Sequence, residues 1–444
     1  MNGKRAVELA PEHITDLLAV HARFPERYPH LLASHGEAEG RYDILFAYPK
    51  RCLTLGPRAG LAECAEFFRN LDQHLSARVT HACEPAKLPF LYGYFLYFSY
   101  ELIAGFEPRL ARLKRPSLPL AWVQEFDGAV IRDHKTKTSY VTARNRETAG
   151  AIRHDLQGIG TQDRDASDCI VRQIEEDDPR EFLEKVGAVK RYIAAGDIFQ
   201  ANLSRGYRAH ISGQAPALAL MRALTIHNSA PFSALAHIGS ATVISASPER
   251  LMAIQEDRIV TRPIAGTSAR FPGSEDDENA RQTLWQHPKE RAEHIMLVDL
   301  ERNDIGRLCI PGTIRVTKLM DIESYATVHH LVSTIEGQLR PDIRFSAILS
   351  SLFPGGSITG CPKLRSLEIL SELEPAARGP YTGSLGYVNE DGNIDLNILI
   401  RTIVMVGERL EWRVGGGIVM DSDPQQELEE TRAKAAGLLR ALHA

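Results

Sequence analysis

Short runs of alternating apolar and polar residues occupy the first third of the chain, and this period-two pattern predicts β-strands. The runs cover residues 42–48, 90–100 and 129–142. Residues 155–168 lack apolar periodicity and are rich in Gly, Asp, Gln and Ser, a composition typical of a linker. The pattern therefore predicts an N-terminal subdomain over residues 1–165 and a second domain over residues 175–444.

Apolar residues spaced three and four apart predict the helices of the second domain. In the first of these helices, Val186 and Val189 share one face, and Gly196 follows its end. The last begins at Pro424, a residue favoured in the first helical turn. The four predicted helices cover residues 179–195, 289–303, 366–372 and 424–442.

Alternating residues predict strands between these helices. The strand over residues 199–204 places Gln200 and Asn202 on one face, and residues 241–247 form another strand. A third, over residues 394–404, places Arg401 on the same face as Asp395 and Asn397. Three consecutive glycines are expected to precede a last strand, at residues 415–417. This mixture of strands and helices predicts an α/β (α+β) sandwich.

The composition changes this picture only by excluding some classes of function. Of the 444 residues, 43% are hydrophobic and 25% charged, with a net charge of -5 and no basic stripe, so nucleic acid is not expected as a partner. The longest uncharged stretch, residues 88–100, is too short to span a membrane, and residues 1–13 lack the apolar core of a signal peptide. Six cysteines without a CxxC pair favour reduced thiols and a cytoplasmic location.

Two of the predicted helices carry paired glutamates. Glu290 and Glu293 lie three residues apart on one helix, and Glu427 and Glu430 repeat this spacing on another, with Lys434 one turn further along. Facing carboxylates repel each other unless a cation lies between them, and an all-oxygen ligand set suits Mg²⁺. The alternative is that both faces are solvated, as is usual for glutamates on exposed helices.

Glycine-rich segments add two candidate binding turns. Residues 355–363 read Gly-Gly-Ser-Ile-Thr-Gly-Cys-Pro-Lys directly before a predicted helix, where free backbone N–H groups suit an anion such as a carboxylate. The glycines at residues 415–417 let a backbone approach a ligand closely. Neither segment is a Walker A loop, and tight turns would explain both equally well.

Taken together, five segments resemble the signature of chorismate-utilising enzymes, in the order found in that family. They are Pro-Ile-Ala-Gly-Thr at 263–267, Lys-Glu-Arg-Ala-Glu-His at 289–294, Leu-Val-Asp-Leu-Glu-Arg-Asn-Asp at 297–304, His-His-Leu-Val-Ser at 329–333, and the run 355–363. The resemblance covers residue 179 to the C-terminus and is looser before it, where it rests on Arg-Tyr-Asp-Ile-Leu at 41–45. It implies two large, mostly antiparallel sheets flanked by helices.

The resemblance also implies roles for individual residues. Glu293 and Glu430 would bind Mg²⁺ directly and Glu290 and Glu427 through water, and the ion would hold the ring carboxylate of chorismate. Glu249 matches the family's general acid, which protonates the leaving 4-hydroxyl. Residues that match the positions around the substrate or its backbone cradle are Gly266, Thr267, His330, Tyr381, Arg401, Gly415, Gly417 and Lys434. Outside the family context, Glu249 would be a capping or surface residue, and His330 a packed core residue.

Gln200 indicates which nucleophile reacts. In the family's isochorismate and salicylate synthases, the matching residue is a lysine that acts as a base toward water. Because a glutamine amide cannot accept a proton at any useful pH, the resemblance implies amination by ammonia. With no glutaminase segment visible, a separate glutaminase subunit is expected to supply it. The alternative from another class is a silent scaffold that only binds a metabolite.

Two products stay open within the aminating branch. Ala265 replaces the lysine that many aminodeoxychorismate synthases use as a nucleophile, which is the anthranilate synthase pattern. Gly-Ser-Ile-Thr-Gly at 356–360, Asp-Leu-Asn-Ile at 395–398 and the run 41–45 instead resemble the aminodeoxychorismate branch, and Leu-Leu-Ala-Ser at 31–34 lacks the Glu typical of tryptophan-inhibited anthranilate synthases. The resemblance favours 4-amino-4-deoxychorismate, a precursor of 4-aminobenzoate and folate, with anthranilate as the alternative.

Overall fold

A computed structural model of the chain describes residues 6–11, 14–34, 40–76, 88–159, 168–271, 273–325 and 328–443. Its strands are β1 Ala6–Leu9, β2 His30–Ala33, β3 Tyr42–Leu55, β4 Gly93–Phe98, β5 Ala121–Asp133, β6 Thr138–Ala143, β7 Ile170–Glu176, β8 Gln200–Ser212, β9 Phe232–Ile238, β10 Ala241–Ser247, β11 Arg250–Gln255, β12 Arg258–Thr261, β13 Ile264–Ala269, β14 Arg315–Ser324, β15 Val328–Gln338, β16 Gly360–Cys361, β17 Ser384–Asn389, β18 Ile394–Asn397, β19 Thr402–Val406 and β20 Arg409–Ile418.

The helices flank these strands. They are α1 Leu17–Arg23, α2 Leu61–Ser76, α3 Arg146–Gln157, α4 Pro179–Ala194, α5 Pro216–His227, α6 Glu275–Gln286, α7 Pro288–Gly306, α8 Phe345–Leu352, α9 Lys363–Leu373 and α10 Pro424–Leu442. Three short 3₁₀ helices span Tyr100–Gly105, Pro108–Leu110 and Gly356–Ile358. In the described part of the chain, no helix is both long and apolar enough for a membrane span.

The described strands pair antiparallel throughout and form one hydrogen-bonded network with two branches. One branch runs β1-β6-β5-β3-β2-β9-β10-β19-β20-β8, with β7 and β16 both paired to β8. The other leaves β5 and runs β4-β17-β18-β11-β12-β15, with β13 and β14 both paired to β15. The predicted α/β class, with large antiparallel sheets and flanking helices, is confirmed.

An aromatic cluster packs the two branches together. Phe46 on β3 and Phe95 on β4 are both fully buried, with ring centroids 5.4 Å apart in an edge-to-face arrangement. Such large rings supply much of the apolar area that a core removes from water. Pairing of β4 with β17 and of β2 with β9 joins the two parts of the chain in one network, and the division near residue 170 stays a prediction.

Two predictions for the first part of the chain are wrong. The strand predicted over residues 129–142 is a hairpin of β5 and β6, because a turn separates Asp133 from Thr138. The predicted linker begins too early, since α3 continues to Gln157 and the buried Asp155 accepts hydrogen bonds from Tyr28 and Tyr48. Most of the remaining linker residues, 160–167, lie outside the described ranges.

The predicted helices of the second part are confirmed as α4, α7, α9 and α10, while two strand predictions need correction. The run 394–404 breaks into β18 and β19, and Arg401 lies between them with a left-handed φ of 51°. Arg401 therefore does not share a strand face with Asp395. The Asp395 carboxylate forms an ion pair with Arg250, whose Nε lies 2.9 Å from Asp395 Oδ1. The three glycines lie within β20 and do not precede it.

Candidate active site

Two helices with similar N-termini carry the predicted metal ligands. Helix α7 has Pro288 at its first position, and α10 has Pro424 there, with Asp423 capping the backbone N–H of Gln426 at 2.9 Å. Because proline fixes φ and needs no hydrogen-bond partner, both helices begin at a defined residue. Glu290 and Glu427 consequently lie in the first turns, where the helix dipole favours negative charge.

Glycine backbones contact the carboxylates of both helices. A Cβ at Gly266 would lie 2.9 Å from Glu290 Oε2, and one at Gly416 would lie 3.3 Å from Glu427 Oε2. The φ of Gly266 is +68°, a conformation that glycine adopts without strain. Strands β13 and β20 thus approach the two carboxylate-bearing helices closely at these two glycines.

The four glutamates influence one another electrostatically. Burial, together with the charges of Glu290, Glu427 and Glu430, raises the pKa of Glu293 to about 7. Burial also raises the pKa of Glu427, whose Oε1 accepts a hydrogen bond from Ser422 at 2.6 Å. The charges of Glu427 and Glu430 on α10 thus act on Glu293 on α7, and the facing arrangement expected from the spacing stays a prediction.

Two lysines accompany these carboxylates. Lys434 Nζ lies 2.6 Å from Glu430 Oε1 and donates to the Gly415 carbonyl at 3.1 Å. Lys289 Nζ lies 3.8 Å from Glu293 Oε1. Burial opposes ionisation of Glu430, but the ammonium of Lys434 outweighs it and lowers the pKa of that carboxyl.

The donor chemistry fits a hard divalent cation. Glu293 Oε1 is buried and accepts no hydrogen bond from any described residue, so it is free to bind an ion. Four carboxylates with no His or Cys form the ligand set that Mg²⁺ prefers. In the described residues, however, no three His, Cys, Asp or Glu side chains converge closely enough to form a ready-made metal cluster. The metal role of the glutamates stays a prediction.

Glu249 lies between β10 and β11 and is 4% exposed. Its Oε1 accepts a hydrogen bond from Ser357 Oγ at 2.6 Å, and its backbone carbonyl accepts from Ile398 at 3.0 Å. Burial raises the pKa of Glu249 to about 7, although Ser357 and the charge of Arg401 oppose the shift. A carboxyl with this pKa can hold a proton near neutral pH and release it during a reaction.

Arg401 is a charged neighbour of Glu249, and His330 lies within range of the charge of Arg401. Burial lowers the pKa of Arg401, and the charge of Glu249 partly offsets that effect. Burial, followed by the charge of Arg401, lowers the pKa of His330 to about 3, so the imidazole is neutral. His330 Nδ1 lies 3.0 Å from Thr267 Oγ1, and its buried Nε2 has no hydrogen-bond partner among the described residues.

Gln200 begins β8 and is 6% exposed. Its side chain folds over Gly417, where a Cβ would lie 2.0 Å from Gln200 Nε2. Tyr381 is likewise buried, and a Cβ at Gly415 would lie 2.7 Å from its hydroxyl. Gln200 Oε1 accepts no hydrogen bond in the described part of the chain, which leaves a buried acceptor available to a small donor.

The predicted residues thus form three groups. Glu249, Arg401, His330 and Thr267 form one, and the four glutamates with Lys434 form another around Gly266 and Gly416. The third contains Gln200 and Tyr381, which contact Gly417 and Gly415 on the face of β20 opposite Gly416. Among the described residues, no hydrogen bond or ion pair joins Gln200 to Glu249 or to the four glutamates, so β20 is the element that connects the second and third groups.

Sequence reasoning missed two residues of the site. Ser357, which holds the Glu249 carboxyl, was seen only as part of a glycine-rich turn. Glu301 on α7 is 7% exposed, and burial, with the charge of Glu249 contributing, raises its pKa to about 8. An acidic residue in the run 297–304 amid apolar neighbours was the available signal.

The family of chorismate binding enzymes matches residues 29–440. The chain belongs to this family. Aminodeoxychorismate synthase component 1 of Escherichia coli is 36% identical over 90% of both chains. An anthranilate synthase component I-like protein of Synechocystis sp. is 37% identical, over 94% of this chain and 84% of its own length.

Solved structures of chorismate binding enzymes share the fold. Anthranilate synthase component I of Streptococcus pneumoniae is 26% identical and aligns with a TM-score of 0.78 over 99% of this chain and all of its own. The menaquinone-specific isochorismate synthase of Escherichia coli is 18% identical with a TM-score of 0.73, over 99% of this chain and 95% of that one, and so supports the fold alone. The family expected from the sequence is thereby confirmed, while relatives of similar identity carry names for different products.

Proposed function

We propose that the chain aminates chorismate with ammonia to give 4-amino-4-deoxychorismate and water. The observation that carries the proposal is Gln200, a buried neutral amide with a free acceptor oxygen at β20, where water-using relatives of the family have a basic lysine. An amide cannot deprotonate water, but its oxygen can accept a hydrogen from an N–H donor. Ammonia needs no deprotonation before it attacks.

Glu249 is the proposed general acid. In its protonated form it donates the proton to the 4-hydroxyl of chorismate, and the C4–O bond breaks as water leaves. Ammonia forms the C4–N bond, and the proton that the new ammonium group loses restores the protonated Glu249 for the next turnover. Arg401 then faces the carboxylate that forms, and its charge stabilises that carboxylate. Neutral His330 has a free Nε2 that can hydrogen-bond the substrate without adding charge.

The four glutamates are the proposed magnesium site. Glu293 and Glu430 would bind the ion directly, and Glu290 and Glu427 would hold it through water. Bound magnesium neutralises the ring carboxylate of chorismate and fixes the ring. Gly266, Thr267, Gly415 and Gly417 are the proposed backbone cradle, and Tyr381, Arg401 and Lys434 the proposed polar contacts to the enolpyruvyl carboxylate.

A separate glutaminase subunit is the proposed source of ammonia, in the cytoplasm. The support comes from the names of the relatives, which are components of multi-component synthases. The chain spans 84% and 90% of the length of these two relatives.

Anthranilate is the second candidate product, favoured by one residue. Ala265 on β13 pairs with Leu331 and offers no amine next to Gly266, so no covalent lysine intermediate can form there. Against it, Ser357 of the Gly-Ser-Ile-Thr-Gly run contacts the proposed acid directly. One of the segments that resemble the aminodeoxychorismate branch therefore contacts the proposed general acid.

One assay distinguishes these functions. The purified chain is incubated with chorismate, ammonium chloride and MgCl₂, and the products are separated by chromatography and identified by mass spectrometry. We expect a product that keeps the enolpyruvyl group. Fluorescent anthranilate with released pyruvate would support the second candidate, and a hydroxylated isomer would refute amination. Unchanged chorismate that is nevertheless bound would identify a metabolite-binding scaffold.

A further inference from the structure

Lys289 and Lys434 are placed symmetrically at the glutamate site. Lys289 lies one helical turn before Glu293 on α7, and Lys434 lies one turn after Glu430 on α10. Both glutamates are proposed direct ligands of the ion. Each ammonium group is paired with a proposed direct ligand on its own helix, Lys289 with Glu293 and Lys434 with Glu430. The charge of Lys289 also acts on Glu427 and Glu430, which lie on α10.

The geometry also accounts for the absence of a ready-made cluster in the described residues. Lys434 Nζ lies 2.6 Å from Glu430 Oε1 and donates a hydrogen bond to the Gly415 carbonyl at 3.1 Å. The Glu430 carboxylate is therefore already paired with an ammonium group. Lys289 Nζ stands 3.8 Å from Glu293 Oε1, which lacks a hydrogen bond in the described structure. Two of the four carboxylates are thus paired with ammonium groups, and no three acidic side chains of the described residues converge on a common point.

We propose that Lys289 and Lys434 are resident counter-cations that compete with a divalent metal for the four glutamates, and that metal binding releases Lys434 toward the substrate. This inference rests on the proposed magnesium site. Until the ion enters, the two ammonium groups hold the repelling carboxylates together. When the ion binds Glu430, the Lys434 ammonium loses this partner. It then lies beside β20, where it can donate a hydrogen bond to an anionic group of the substrate.

Competition predicts that removal of either lysine charge tightens metal binding in the absence of substrate. Lys289→Met and Lys434→Met keep most of the aliphatic stem while removing the ammonium. Because a unit charge beside a divalent ion changes its affinity by roughly tenfold even in a high dielectric, we expect Kd for Mg²⁺ to fall about three- to tenfold. The effect of Lys434→Met should be the larger, since its ammonium is closer to a ligand oxygen.

Isothermal titration calorimetry with MgCl₂, without chorismate or ammonium, measures this affinity directly. Lys50→Met is the matched control, because Lys50 pairs with Asp127 at 3.2 Å on strands β3 and β5, which carry none of the site residues. Its Kd should equal that of the wild type. The differences in Kd between the two site variants and the wild type should be smaller at 1 M KCl, where the Debye length is about 3 Å. Circular dichroism confirms that each variant is folded.

The outcomes separate this inference from the function it rests on. Tighter binding in both site variants, with an unchanged control, supports competition. If the wild type binds Mg²⁺ and both variants bind it equally or more weakly, the lysines do not compete and only this inference fails. If no variant and no wild-type protein binds Mg²⁺, the metal site and this inference both fail, while the product assay still tests amination.

Discussion

Ser357→Ala tests whether Glu249 is the general acid. A general acid must start protonated, so kcat/KM should fall by about tenfold per pH unit once pH exceeds the pKa of Glu249, about 7. Ser357 Oγ donates to Glu249 Oε1 at 2.6 Å and stabilises the ionised form, which lowers the pKa of that carboxyl. Removal of the hydroxyl therefore moves the basic limb of the pH profile upward.

The size of the movement follows from the hydrogen bond. A hydrogen bond to a charged, buried group contributes about 1.5–3 kcal/mol. Since one pKa unit corresponds to about 1.4 kcal/mol, the limb should move up by about one to two units. The plateau rate should fall modestly, because a weaker acid transfers its proton less readily. Glu249→Gln should lose roughly 10²–10⁴-fold in rate and abolish the limb altogether.

The assay follows chorismate consumption between pH 6 and about 9.5 with free ammonia held constant, because the ammonium ion loses its proton in this range. Saturating MgCl₂ keeps the carboxyl groups of the proposed metal ligands ionised. Ser350→Ala, at an exposed serine on α8 that bonds only its own helix, is the control and should leave the profile unchanged. A limb of Ser357→Ala that stays in place or moves to lower pH would refute the reasoning. So would a Glu249→Gln variant that keeps the wild-type rate.

Three further predictions test the metal site, the nucleophile and the core. Glu293→Gln and Glu430→Gln should abolish Mg²⁺-dependent turnover without changing the circular dichroism spectrum, and near-wild-type activity at low Mg²⁺ would remove them from the site. Gln200→Lys should lose amination and gain some hydroxylated product by mass spectrometry; full ammonia-dependent activity without that product would place Gln200 away from the ring. Burial lowers the pKa of His30 from 6.5 to about 3 and that of His237 from 6.5 to about 4. Each histidine should therefore reduce the stability of the folded protein at pH 5 by about 2 kcal/mol. We expect Tm to be lower at pH 5 than at pH 7.5, and this difference to be smaller in His30→Gln. Because the unfolded chain binds the extra protons, stability is retained above pH 6.5 and lost as the pH falls; an unchanged Tm at pH 5 would contradict this.

The helices were predictable because their signals are local. Proline at the first helical position and apolar residues three and four apart lie within one or two turns, so α4 and α10 are recovered almost to the residue. The break between β18 and β19 was not predictable, because alternation continues through it. The left-handed backbone of Arg401 depends on distant partners, such as the hydrogen bond from Ala246 to its carbonyl at 3.0 Å.

In the candidate site, too, local spacing was predictable and contacts between residues distant in sequence were not. The spacing of Glu290 and Glu293 indicated a shared helical face, and in the structure the charges of Glu427 and Glu430 on α10 act on Glu293. The contact between Ser357 and Glu249 joins residues 108 positions apart and leaves no trace in either local pattern. The two lysine–glutamate pairs are visible in the sequence at a spacing of four, but the action of Lys289 on the carboxylates of α10 depends on the fold.

Two buried carboxyls lie near each other in the site, and their environments assign them different tasks. Burial raises the pKa of Glu301 to about 8, and the charge of Glu249 raises it further when that residue ionises. Ser357 and Arg401 oppose this shift at Glu249, and Thr261 and the charge of Lys363 oppose it at Glu301, whose pKa is still the higher of the two. Two neighbouring carboxyls do not both ionise readily in a buried site, which keeps Glu301 neutral while Glu249 gives up its proton. The proposed acid is therefore the carboxyl whose anion the site can accommodate, and Glu301 is the neighbour that makes a second ionisation costly.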